Sequence, residues 1–99
     1  MVRHVVMWNF KEGGSDVQNA DNAQKVKHAL ENLKSLVPEI VDIKVHINQL
    51  SYSTKDVMLD ACFADEAGFL AYKNNADHKA AGEIVKEYLT DRVAFDYNG

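Results

Sequence analysis

Tyr72, His78 and His4 are the residues whose types and placement suit acid–base chemistry. In the run Phe69-Leu70-Ala71-Tyr72-Lys73-Asn74-Asn75-Ala76-Asp77-His78, a helix passes into a short turn that delivers His78 to the first turn of the next helix. Unpaired N–H groups and the dipole at a helix start disfavour an imidazolium, so a neutral, proton-accepting His78 is expected there. Tyr72, on the preceding helix, offers a phenol that can donate to a carbonyl or a developing enolate oxygen. His4 shares a strand face with Val6, Trp8 and Phe10. If that face meets the helices, His4 reaches the same cavity, and three polar groups converging on an apolar pocket describe a small-molecule site. Trp8, Phe10, Phe69 and Leu70 are the apolar residues expected to line it.

Each of these residues also has an ordinary structural explanation. His78 reads equally as a surface histidine beside Asp77, Tyr72 as a core ring whose hydroxyl finds water, and His4 as a satisfied core histidine. His46 and His28 fall on polar faces and read as solvated. No two histidines have the short spacing of a metal-binding helix or strand, and there is one cysteine, Cys62. Neither a zinc or iron site nor an internal disulfide is therefore expected, and Cys62 reads as a small buried hydrophobe in a reducing cytoplasm. Gly13-Gly14 lacks the lysine and hydroxyl residue of a phosphate loop, so no cofactor is expected either.

These side chains must be positioned by a short series of elements. Val2 to Phe10 is dense in β-branched and aromatic residues and ends at two glycines, which marks a first strand. Ser15 with Gln18 forms a capping-box pattern, after which Ala23, Val26, Leu30, Leu33 and Val37 lay one apolar stripe along a helix that Pro38 ends. Val41, Ile43, Val45 and Ile47 alternate with Asp42, Lys44, His46 and Asn48, predicting a strand with one buried face. Val57 to Phe63 is apolar on both faces apart from Asp60 and reads as a strand buried on both sides. Asp65 is placed to cap a short helix carrying Phe69, Leu70 and Tyr72, and Asp77 a second with Ala81, Ile84, Val85 and Tyr88. Arg92 to Tyr97 closes the chain as a strand, with Val93, Phe95 and Tyr97 on one face and Arg92, Ala94 and Asp96 on the other.

The order strand, helix, strand, strand, split helix, strand is the α+β, ferredoxin-like βαββαβ unit, a single domain over residues 1–99 with a four-stranded antiparallel sheet. Helices cover one face of such a sheet. Strands apolar on both faces leave the other face needing a cover, and a second copy of the chain is the economical one. A formal charge of −4 with no run of like charge leaves no basic stripe for nucleic acid. The amino terminus lacks the hydrophobic region and cleavage site of a signal peptide, and no segment is long enough for a membrane span.

Taken together, Val2-Arg3-His4-Val5-Val6, the Ile47-Asn48 strand end, Tyr52 to Phe63, the Phe69-Leu70-Ala71-Tyr72 helix leading to His78, and Asp91-Arg92-Val93-Ala94-Phe95-Asp96-Tyr97 resemble the stress-responsive dimeric α/β-barrel family, often called Dabb. The resemblance implies a homodimeric barrel of two sheets with a cavity between sheet and helices. It further implies either a stress-linked protein binding a small apolar molecule or a cofactor-free enzyme: a polyketide cyclase like olivetolic acid cyclase, or a monooxygenase sharing the barrel. In those cyclases, residues matching Tyr72 and His78 are the acid–base pair and one matching His4 lines the site. The family's usual His-Pro-x-His is here Asn75-Ala76-Asp77-His78, which keeps only the second histidine.

Overall fold

β-branched and aromatic residues draw two strands into the middle of one sheet, where both of their edges are paired. The computed structural model covers residues 1–99 and runs β1 (Val2–Phe10), α1 (Asp16–Glu31), α2 (Leu33–Leu36), β2 (Ile40–His46), β3 (Val57–Phe63), α3 (Glu66–Asn74), α4 (Ala76–Tyr88) and β4 (Leu89–Asn98). The strand order is β2-β3-β1-β4 with every neighbouring pair antiparallel. This is the ferredoxin-like βαββαβ arrangement, and the central strands are β1 and β3.

The core lies between the helices and one sheet face. Val2, Val6 and Trp8 of β1 and Val57, Leu59, Ala61 and Phe63 of β3 pack there against Val26, Leu30 and Leu33 from α1 and α2, and against Phe69, Tyr72 and Val85 from α3 and α4. The opposite face carries Val93, Phe95 and Tyr97 of β4, all exposed, with Phe95 at 70%. Met7 and Met58, paired across β1 and β3, lie half-buried on that same face.

The capping box at Ser15 is formed in both directions: the Gln18 amide donates to Ser15 Oγ at 3.2 Å and the Ser15 amide to Gln18 Oε1 at 3.0 Å. The helix expected to run unbroken to Val37 is interrupted at Asn32. There the Asn32 carbonyl accepts both the amide and the hydroxyl of Ser35, at 3.2 and 2.9 Å, and this tighter turn takes the place of the α-helical bond. Α-helical geometry resumes for a single short element, α2.

Two bulges change which residues face the core. In β2 the pairing steps from Ile40↔Phe63 to Asp42↔Cys62, so Val41 is an extra residue. Ile40, Ile43 and Val45 are buried while Val41 is 41% exposed, which corrects the alternation expected to start at Val41. In β4 the pairing steps from Thr90↔Asn9 to Val93↔Met7, and Asp91 in this bulge adopts a left-handed conformation with φ 54°. Asp tolerates that region better than most residues. The strand also begins three residues earlier than Arg92, at Leu89, because pairing with β1 extends to Leu89↔Phe10. No helix is long and apolar enough to cross a membrane.

Candidate functional site

The site is built around the break between α3 and α4. Asp65 caps α3 by accepting the Gly68 amide at 2.8 Å, and Phe69 and Tyr72, three residues apart, turn the same side of α3 to the sheet. Asn75 then serves both helices. Its amide donates to the Tyr72 carbonyl at 3.1 Å, closing α3, and its side-chain oxygen accepts the amides of Asp77 and His78 at 2.8 and 3.4 Å, opening α4. The cap of α4 is therefore Asn75 and not Asp77, which lies inside the first turn. The extended backbone of Asn75, φ −73° and ψ 136°, sets its side chain over the free amides, whereas Asp77 is already helical and favours the helix only through its charge.

This junction brings the Tyr72 and His78 rings to a centroid separation of 4.1 Å, tilted by 40°. Tyr72 is 0% exposed and meets Phe63 at 4.9 Å on one side and the edge of His4 at 6.2 Å. His4 in turn lies 4.9 Å from Phe69 and is hydrogen-bonded through Nδ1 to Asp96. A neutral His4 donating from Nδ1 keeps its lone pair on Nε2. Asp96, the hydrogen-bond partner of a candidate site residue, is what sequence reasoning missed: it appeared there only as one of the residues on a face of β4. The antiparallel pairing that sets His4 opposite Asp96 carries the signal, and it exists only once the strands are registered.

Tyr72, His78, His4 and Arg92 line a cavity of about 270 Å³ whose apolar wall is Val6, Trp8, Leu30 and Leu59. Lys79, Gly82, Glu83 and Lys86 of α4 form its rim. Of the four apolar residues expected to line a pocket, Trp8 alone borders this one. Phe69 lies behind His4 and borders a separate small groove with Leu70, which is 55% exposed. One residue along a helix turns the side chain by about 100°, so Phe69 and Leu70 cannot share a face. Phe10 borders a groove beside Gly13 and Gly14 at the far end of β1. A larger groove of about 670 Å³ runs along the β2–β3 loop, but no unpartnered buried polar group faces it.

Beside the cavity that Tyr72 and His78 line, the Tyr72 hydroxyl and His78 Nδ1 are buried and have no hydrogen-bond partner within the protein. Leaving such a group unsatisfied costs about 1–3 kcal/mol. Burial pushes the Tyr72 phenol up to about 12, with the Arg92 charge opposing. It also holds His78 below the ordinary histidine value; the Lys73 backbone opposes this, and the charges of His4, Arg92 and Lys73 reinforce it. His4 is lowered by burial against the pull of Asp96. The result is a phenol that stays protonated beside an imidazole whose charged form is disfavoured. No group of three or more His, Cys, Asp or Glu side chains is arranged to hold a metal ion.

The model of one family, described as Stress responsive A/B Barrel Domain, matches residues 2–99. The chain belongs to that family. Among solved structures, this Dabb chain is similar to a dimeric protein of unknown function and ferredoxin-like fold from Bacteroides fragilis, with 24% identity and a TM-score of 0.90 over 99% of this chain and 95% of that one. A dimeric ferredoxin-like protein of unknown function from Thermobifida fusca is 28% identical, with a TM-score of 0.79 over 97% of this chain and 88% of the other. The same fold occurs in a hydroxynitrile lyase from Passiflora edulis, at 18% identity and a TM-score of 0.74, covering 97% of the Dabb chain and 90% of the lyase. No curated protein matches the sequence significantly.

Proposed function

We propose that this Dabb chain acts as a homodimer that binds a small, largely apolar molecule in the cavity between sheet and helices, with a role in stress response. The observation that carries the reading is the pair of buried, unpartnered atoms, Tyr72 Oη and His78 Nδ1, on two rings that lie 4.1 Å apart and line one cavity with Trp8, Leu30 and Leu59. A ligand carbonyl or hydroxyl that reached either atom would satisfy it while the ligand's apolar body packed on the apolar wall. The exposed apolar face of β4 supports the second copy, as do structural neighbours described as dimeric. The test is native mass spectrometry of the purified protein, searched for a small molecule carried through purification. Retention of one compound by the wild type and its loss from a Tyr72→Phe/His78→Ala variant supports the assignment; equal retention by both removes these residues from the site.

A second reading makes the same pair catalytic, in a cofactor-free enzyme like the polyketide cyclases. It is favoured by His78 being held neutral beside a phenol that stays protonated, and the fold also serves a lyase. His78 would take a proton from a carbon next to a carbonyl while Tyr72 donates to the forming enolate oxygen. The enolate carbon then attacks a second carbonyl of the same molecule, and His78 returns its proton to the new alkoxide. His4, oriented by Asp96, would line the site beside them. An enzyme should lose about 10²–10⁴ in rate on His78→Ala, whereas a binding module changes affinity only modestly.

A further inference from the structure

The charges around the cavity are unevenly satisfied. Glu83 and Lys86 on its rim lie 3.8 Å apart and balance one another. Arg92 and Lys79 border the same cavity, and neither has a carboxylate within ion-pairing distance. Asp96 is engaged by His4 and does not border the cavity. The mouth is thus positive on a chain whose formal charge is −4. The guanidinium also acts on the interior, since its charge is felt at His4, Tyr72 and His78 together.

From this geometry we infer that the ligand is a small acid, an apolar body ending in one carboxylate, held with its apolar part against Trp8 and its carboxylate at Arg92 and Lys79. The inference rests on the ligand-binding reading and names the chemical class that reading leaves open. Arg92 presents a planar fork that matches a carboxylate in two parallel hydrogen bonds, and Lys79 adds a point charge from the first turns of α4. The cavity volume of about 270 Å³ corresponds to roughly nine waters at ~30 Å³ each, room for a single ring and its substituent. The buried Tyr72 hydroxyl, 0% exposed as a residue and unpartnered, then addresses a second polar atom on that ring.

The experiment compares two probes of similar size differing in charge, benzoate and benzyl alcohol, titrated at low salt and followed by the fluorescence of Trp8, the only tryptophan. Benzoate is expected to bind about tenfold more tightly, the equivalent of one charge-assisted hydrogen bond. Arg92→Gln with Lys79→Gln should abolish that preference, bringing benzoate to the affinity of benzyl alcohol for the same variant, and added salt should weaken benzoate alone. Equal affinity for the two probes, or an undiminished preference in the double variant, overturns the carboxylate assignment and leaves the cavity reading standing. Failure of both probes to bind the wild type overturns both.

Discussion

The Tyr72 and His78 rings lie 4.1 Å apart across a junction in which one residue, Asn75, both ends the first helix and caps the second. The backbone hydrogen bonds that terminate and start helices in any protein are here the ones that set the spacing of a donor and an acceptor. Removing a side chain from this pair therefore has separate effects on stability and on binding.

Tyr72→Phe deletes a buried hydroxyl that has no partner within the protein, so the ligand-free variant is expected to be more stable by about 1 kcal/mol. Chemical denaturation without ligand measures this. Ligand affinity should move the opposite way, falling several-fold. A ligand-free variant less stable than wild type would mean that the hydroxyl is bonded after all.

Asn75→Ala removes two hydrogen bonds at the start of α4 and should cost about 1 kcal/mol, while Asp77→Ala should cost only a few tenths. Ala76→Pro should instead stabilise by about 0.4–1 kcal/mol. Position 76 is the first helical residue, and Asn75 is already extended as a residue before proline must be. Thermal or urea unfolding of the three variants gives the order directly; a larger loss at Asp77 than at Asn75 would refute the capping assignment.

Acidification should weaken the fold through His4 and His78. Both are held below the ordinary histidine value of 6.5, mainly by burial, so below about pH 6.5 the unfolded chain binds more protons than the folded one. The stability these groups contribute is present above that pH and is lost as pH falls through their folded values. Urea midpoints measured from about pH 7.5 down to 5 should decline, and a His78→Gln variant should decline less steeply. The same slope in variant and wild type would contradict burial of a neutral imidazole.

Phe95→Asp should prevent the proposed sheet-to-sheet dimer. Phe95 and Tyr97 stack at 5.9 Å on the sheet face the helices leave open, and a carboxylate there must be desolvated for two sheets to meet. Light scattering should give twice the chain mass for wild type and one chain mass for the variant. A monomeric wild type at micromolar concentration would refute sheet-to-sheet assembly.

What could be read from the residues followed their local physics. β1 and β3 announce themselves by long apolar runs, and Tyr72 and His78 by a turn too short to separate them. The cap at Asn75 was hidden because Asp77 is an equally good capping residue by type; only the backbone angles decide between them. Val41 was misplaced because a bulge leaves no mark in an otherwise regular alternation. Asp96 and Arg92 read only as one face of the last strand, because the pairing of Asp96 with His4 joins opposite ends of the chain, and strand register is a property of the whole sheet.

The extra residue at Asp91 reverses the facing of everything after it. Leu89 points to the core before the bulge, and Arg92 and Asp96 point to that same side after it. With a regular strand those two side chains would project from the opposite face, and the apolar residues between them would turn inward. Among relatives, a single insertion or deletion at this position would therefore exchange the guanidinium and the carboxylate for hydrocarbon in one step. Where an alignment places its gap, before or after Asp91, decides which residues of two homologues are compared as equivalents.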